Sequence, residues 1–380
     1  MTHLLESLPN VAFELPGGRR LGADRAPATV VFRSEAAAAA LSEAPSLLAF
    51  AEAFVRGDID VRGDLVVALD AAYALDVRAA ASPHTPEPRP VMDDAVRFHY
   101  DVSNEFFALF LDRRMVYTCA YYQHADTGLE EAQEAKLDLV CRKLRLAAGE
   151  RLLDVGCGWG GLVTWAAERY GARVVGVTLS PAQTEHATAM LRAAGVAERA
   201  HVEQRDYRSL DGEAAFDKIA AIGVLEHLGV GSWDEYFGRL HRLLRPGGLF
   251  LNHGITHATP GRYSTGMTFL TRHVFPGADF ERIGHVLTRM EAAGFRVLDV
   301  EALGGHYART TRQWLDRLQA AADRARELVG ERTYRTWIGY LAAATVAFSA
   351  GWIDVYQVLA RRPDGALPVR PETRESLYRD

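Results

Sequence analysis

The stretch LLDVGCGWGGL, Leu152 to Leu162, constrains this chain more than any other. An apolar run ends in an aspartate, passes through glycines and opens into a helical pattern, which predicts a strand, a tight turn and a helix start. Gly156, Gly158 and Gly160 let the backbone approach a ligand and aim the free N–H groups of a helix start at it. Around that turn, apolar runs alternate with helical stretches: Arg151 to Gly156, Ala172 to Leu179, Phe216 to Gly223, Gly247 to Ile255 and Phe295 to Leu303. Such alternation predicts an α/β fold with a doubly wound, mostly parallel sheet.

A glycine turn alone does not name its ligand, because dinucleotide enzymes use one too. A nicotinamide site also wants an acid about 20 residues further on, at the end of the second strand, to hold the ribose. Here that strand ends GVTLSPAQ, with Thr178 and Ser180 and no carboxylate, which disfavours a dehydrogenase. Asp154 before the glycines, together with this polar strand end, resembles the pattern of S-adenosylmethionine-dependent methyltransferases. Asp206 and Tyr207, in QRDYRSL, follow a third strand, where such enzymes place a group that meets the adenine amine.

Ligands of open α/β sheets sit beyond the carboxyl ends of the strands. Glu226 and His227 fall just after the fourth strand and His253 at the end of the fifth, so an acid and an imidazole are expected to converge near the glycine turn. His227, beside Glu226, is expected to point elsewhere. Upstream, MVYTCAYYQHAD sets Cys119 among tyrosines, as an apolar filler, a nucleophile, a metal ligand or the floor of a site. Nothing in the spacing of Cys119, Glu226 and His253 demands a metal.

The bulk properties narrow the class. A net charge of -6 argues against broad nucleic-acid binding, which wants a basic face. Three cysteines without CxxC spacing suit a reduced, cytoplasmic setting. The start, MTHLLESLPNVAFELPGG, lacks the basic and apolar regions of a signal peptide. The weakly polar run Leu341 to Ile353 falls short of the roughly 20 residues of a membrane span, so any membrane contact is expected to be peripheral. Four prolines between Ala81 and Asp94 predict a stiff linker, dividing an accessory part, residues 1–80, from a catalytic part, residues 95–380. The accessory part reads as a small α+β module: a strand over Ala28 to Phe32, an alanine-rich helix opened by Ser34 and a hairpin-like element over Gly57 to Asp64.

Taken together, HYDVSNEFFALFLDRRMVYTCAYY (His99 to Tyr122), EEAQEAKLDLVCRKL, LLDVGCGWGGL, VVGVTLSPAQ, QRDYRSL, EHLG and HVFPG resemble the cyclopropane-fatty-acyl-phospholipid synthases. The mycolic acid cyclopropane synthases and methyltransferases are close relatives of that family. The resemblance spans residues about 95 to 360 and implies a seven-stranded, Rossmann-like class I methyltransferase domain. It implies methyl transfer from S-adenosylmethionine to a cis double bond of an acyl chain, leaving a carbocation that loses a proton to give a cyclopropane or a branched product. The alkene is the nucleophile in that chemistry, so no activated Ser or Cys is required.

The resemblance assigns the base to a bound bicarbonate held by Cys119, Glu226, His253, the backbone of Ile255, and Tyr307. It assigns the cofactor to Tyr117 and Thr118, the turn from Leu152 through Asp154 to Gly160, Thr178, Ser180 and Gln183, and Asp206 with Tyr207. Asn104 to Leu111 supplies residue types suited to an apolar acyl channel, and Tyr117, Tyr121, Tyr122 and Tyr307 are candidates to face a cation. The family usually has Ser where this chain has Thr118, and the loop after His253 is more polar than expected. A module before the linker suits the phospholipid-acting type, where it aids membrane binding or dimerisation. The arginine- and aromatic-containing stretch Thr311 to Trp337 is either a headgroup contact or an ordinary solvated face.

Overall fold

The computed structural model describes residues 10–43, 46–78, 102–257, 265–275, 280–364 and 373–378. The proline-rich stretch 81–94, the polar loop 258–264 and residues 276–279, which include the last two of HVFPG, lie outside the described residues.

The accessory module builds a four-stranded sheet in the order β2-β1-β3-β4. Its strands are β1 (Val11–Glu14), β2 (Arg20–Gly22), β3 (Ala28–Phe32) and β4 (Ile59–Gly63). Three helices cover it: α1 (Glu35–Glu43), α2 (Leu47–Arg56) and α3 (Leu65–Arg78). Ser34 opens α1 as expected, its Oγ accepting the Ala37 N–H at 3.1 Å. The hairpin expected over Gly57 to Asp64 is instead a single strand. Gly57 (φ 81°) ends α2, and β4 pairs antiparallel with β3. Two glycines around a short alternating run mark a helix end and a strand end as readily as a hairpin.

The catalytic part opens with α4 (Asn104–Ala108) and α5 (Leu129–Lys143). Alternating elements follow: β5 (Arg151–Val155), α6 (Gly161–Tyr170), β6 (Arg173–Thr178), α7 (Pro181–Ala193), β7 (Ala200–Gln204), β8 (Phe216–Ile222), α8 (Trp233–Leu243) and β9 (Leu244–His257). The chain closes with α9 (Thr265–His273), α10 (Ile283–Ala292), β10 (Arg296–Ala302), α11 (Gly304–Ala320), α12 (Ala322–Ser349, broken at Gly330), β11 (Ile353–Arg361) and α13 (Glu375–Tyr378).

The seven strands order as β10-β11-β9-β8-β5-β6-β7. Strands β5 to β9 run parallel, and β11 inserts antiparallel between β9 and β10. The expected α/β, mostly parallel seven-stranded sheet is therefore present. Adjacent Leu152 and Leu153 of β5 enter different apolar clusters, one on each face of the sheet. Strand order reverses at β5, so the glycine turn leaves the sheet at its topological switch point. A third cluster joins the accessory module to α4, α11 and α12, and Cys119 and Tyr307 belong to it. Among the described residues, no helix is long and apolar enough to cross a membrane.

Candidate active site

Local backbone requirements explain the glycine turn. Gly156 has φ 70° and Gly160 φ 83°, conformations that side chains rarely adopt. A Cβ on Gly156 would lie 2.6 Å from Val224 Cγ2, and one on Gly160 2.8 Å from the Ala187 Cβ. Gly158 also has positive φ. The turn is thus a bare backbone cradle opening onto the start of α6. Trp159 in the turn donates to Asn104 Oδ1 at 2.8 Å, and its ring lies 4.8 Å from that of Phe107. Those contacts fasten the expected acyl-channel helix α4 to the cradle. Leu152 does not reach the turn: its side chain is fully buried in the core, so it supplies strand rather than ligand contact.

The other cofactor candidates take definite positions. Ser180 caps α7, its Oγ accepting the Gln183 N–H at 3.3 Å, while Thr178 Oγ1 donates to Gln183 Oε1 at 2.6 Å. Asp206 caps the next turn, accepting the Arg208 N–H at 2.7 Å, and the Tyr207 ring stands edge-on to Tyr236 at 5.3 Å. Asp154 is buried at the centre of the sheet, and burial pushes its pKa up to about 7 against the opposing field of Lys136. Lys136, which sequence reasoning missed, is itself buried in α5; desolvation draws its pKa down to about 8. Its Nζ donates to Thr118 Oγ1 at 2.9 Å, and Gln133 Nε2 donates to the Thr118 carbonyl at the same distance. The Thr118–Cys119 segment is therefore held from below by α5, with Thr118 against Gly223 at the end of β8.

The second constellation assembles just beyond β8 and on the stretch of β9 level with its end. Glu226 lies in the short turn Leu225–His227, where its Oε1 accepts the Ile255 N–H at 2.7 Å. Its Oε2 is buried and has no hydrogen-bond partner among the described residues. Burial pushes this carboxyl up to about 7. His253 sits on β9 opposite Gln357 of β11, with Gln357 Nε2 at 3.2 Å from His253 Nδ1. His253 Nε2 is also buried without a partner among the described residues. Burial, and then the fields of Lys136 and Lys143, hold the imidazole well below its ordinary pKa and therefore neutral. Cys119 is fully buried, its Sγ 3.3 Å from the Ala120 carbonyl, and burial keeps it a thiol. Tyr307 on α11 shares its apolar cluster, the ring 4.5 Å from Phe348 and 6.0 Å from Trp314.

The tyrosines separate into two groups. Tyr117 stands among Trp314 (5.1 Å), Phe107 (5.4 Å) and Trp337 (6.2 Å), its hydroxyl 3.4 Å from that of Tyr340. Tyr121 and Tyr122 stack instead on His306 at the start of α11, and Arg309 covers Tyr122. His227 turns to Phe275, 5.6 Å away, as expected of a residue beside rather than in the site. Among the described residues, no three His, Cys, Asp or Glu groups cluster to hold a metal. The arrangement thus offers a neutral thiol, a neutral imidazole and a carboxyl poised near 7, beside an aromatic cluster. It contains the parts for binding and for proton movement, and no activated nucleophile.

The profile of the family described as mycolic acid cyclopropane synthetase matches residues 89–358. A probable fatty acid methyltransferase of Pseudomonas putida is 42% identical over 291 residues, covering 75% of this chain and 74% of its own. Cyclopropane mycolic acid synthase 1 of Mycobacterium tuberculosis is 36% identical over 278 residues, covering 70% of this chain and 96% of its own. The solved structure of mycolic acid cyclopropane synthase CmaA1 complexed with SAH and CTAB aligns with a TM-score of 0.68 at 36% identity, over 73% of this chain and 100% of that one. Coclaurine N-methyltransferase, at 20% identity and a TM-score of 0.67, shares the fold. The chain belongs to the mycolic acid cyclopropane synthetase family of S-adenosylmethionine-dependent, lipid-modifying methyltransferases.

Proposed function

We propose that this protein transfers a one-carbon group from S-adenosylmethionine to a cis double bond of an unsaturated phospholipid acyl chain, giving a cyclopropane. The observation that carries this reading is the pair of unpartnered buried atoms, Glu226 Oε2 and His253 Nε2, next to the aromatic cluster holding Cys119, Tyr117 and Tyr307. Buried polar atoms are ordinarily hydrogen-bonded, so such a pair fits a small hydrogen-bonding guest. Bicarbonate fits that donor and acceptor set, with Cys119, the Ile255 backbone and Tyr307 completing its surroundings.

The side chain-free cradle of Gly156, Gly158 and Gly160 fits the methyl donor, which when bound supplies an electrophilic methyl group. Trp159, Asn104 and Phe107 orient the acyl-channel helix against that cradle. Tyr117, Trp314 and Tyr307 exclude water and offer π faces to a cationic acyl carbon. Glu226 and His253 hold the base at the carboxyl ends of β8 and β9, where the proton released from the new methyl must go. The kinship to a probable fatty acid methyltransferase favours a second outcome on the same site: a methylene or methyl branch, formed when a different proton is lost. A small-molecule N-methyltransferase is the remaining reading, and the bicarbonate-type pocket speaks against it, since an amine sheds its own proton to solvent.

We further place the enzyme in the cytoplasm, peripherally at the inner membrane face, with the accessory module aiding membrane contact or pairing of two copies. The test is incubation with methyl-labelled S-adenosylmethionine and vesicles of unsaturated phospholipid, with and without bicarbonate. Label in the acyl chains as a ring, increased by bicarbonate, is expected. Label on a small amine, with none in acyl chains, overturns the reading.

A further inference from the structure

Gln357 is fully buried on β11, directly across the ladder from His253. Its Nε2 lies 3.2 Å from His253 Nδ1, and its Oε1 has no partner among the described residues. Placed with Nε2 toward the ring, the carboxamide can only donate there, an arrangement in which Nδ1 is the acceptor of the ring. A neutral imidazole that accepts at Nδ1 carries its proton at Nε2. The His253 backbone is fixed as well: its carbonyl accepts the Gly223 N–H at 2.9 Å, and β9 is paired on both sides at this point.

We propose that Gln357 is a positioning residue that sets the His253 tautomer, so that His253 presents an N–H donor, not a base, to the site. The consequence is a division of labour. His253 grips an anion oxygen through Nε2–H and takes no proton from the substrate. The proton of the new methyl then leaves to the bound base that Glu226 and His253 hold. This assignment rests on the proposed function for its chemical meaning, yet the tautomer itself is a property of the protein alone. Sequence reasoning had no access to it, because Gln357 lies about a hundred residues from His253 and in a strand it did not mark.

The experiment is nitrogen NMR of the full-length protein labelled with 15N-histidine, the His253 signal being assigned by its loss in His253→Asn. The wild type is expected to show His253 neutral and protonated at Nε2. In Gln357→Leu the Nδ1 partner is gone: the His253 signals should shift toward a tautomer mixture. Turnover should fall about tenfold, as for other residues that orient an active-site imidazole, with KM for S-adenosylmethionine unchanged. In Gln357→Glu a carboxylate demands Nδ1–H, so the signals should reverse and turnover should fall further. Finding His253 protonated at Nδ1 in the wild type overturns the proposal, even should the variants fail to fold. So does a Gln357→Leu enzyme with wild-type tautomer and turnover. Absence of acyl-chain labelling with the Nε2–H tautomer present would sink the proposed function and leave this assignment standing.

Discussion

At the scale of single residues, the site stores free energy in buried ionisable groups. Glu226 binds a proton up to about pH 7 in the native state, whereas an exposed glutamate releases it near 4.5. Between those values the native state holds the extra proton, so stability is highest below the lower one and falls as pH rises through the upper one. Glu226→Gln has no proton to lose. It should be more stable than the wild type at pH 8, by roughly 3 kcal/mol, and the gain should shrink toward pH 5. Urea denaturation at both pH values checks this; equal gains at the two would contradict it. The same substitution weakens the hold on the base, so turnover falls while stability rises. Cys119 makes the opposite case. It is a fully buried thiol, so Cys119→Ser inserts a hydroxyl that needs a stronger partner, costing about 1–2 kcal/mol. Turnover should drop without disappearing, and Glu226→Ala should be far more damaging, as acyl-chain labelling would show. Complete loss in Cys119→Ser with cofactor binding intact would restore the nucleophile reading.

At the scale of elements, the parallel sheet and the glycine turn were legible because period, spacing and turn chemistry agreed there. Gly156→Ala tests how firmly that backbone is dictated. Its Cβ would meet Val224 at 2.6 Å in a positive-φ conformation, a strain of about 1–3 kcal/mol. Calorimetric binding of S-adenosylhomocysteine should weaken by about tenfold or more; unchanged affinity would show that the turn can relax. The misses share a cause. Nothing in the charged run EEAQEAKLDLVCRKL marks Lys136 as buried, but the Thr118 segment packs over α5 and buries it. Strand β11 follows within a few residues of a weakly polar helix; the run Leu341 to Ile353 reads across the one glycine between them, Gly351, and pairing with β9 and β10 reveals the strand. Thr178, Ser180 and Gln183 read as cofactor contacts, and their first structural duty is to cap and brace the start of α7. Glu226 meets the Ile255 backbone, and Ile255 packs against the cluster that holds Cys119 and Tyr307; residue spacing alone gave no sign of either contact.

At the scale of the whole molecule, the accessory module is not a detached appendage. Its helices share an apolar cluster with α11, α12 and α4, and Tyr73 of α3 lies 3.7 Å from Trp352 between ring centroids. The arginines of Thr311 to Trp337, read from sequence as headgroup contacts or a solvated face, turn partly to this junction. Arg312 pairs with Asp64 at 2.8 Å, and Arg317 donates to the Leu111 carbonyl and to Glu130. Arg335 is the most committed of them. Its guanidinium is largely buried, donates to the carbonyls of Phe54 (2.9 Å) and Ile59 (3.2 Å), pairs with Asp60, and lies over the Phe54 ring. Removing it leaves two backbone acceptors at the end of α2 and the start of β4 without this donor, together with a half-paired carboxylate. Arg335→Ala should therefore cost about 2 kcal/mol or more, well above the change of under about 1 kcal/mol expected for the more exposed Arg312→Ala. Denaturation of the intact chain gives the comparison. If the module is welded to the catalytic part, Arg335→Ala lowers the midpoint of one cooperative transition. If it unfolds on its own, an early transition separates from the main one and S-adenosylhomocysteine protects only the second.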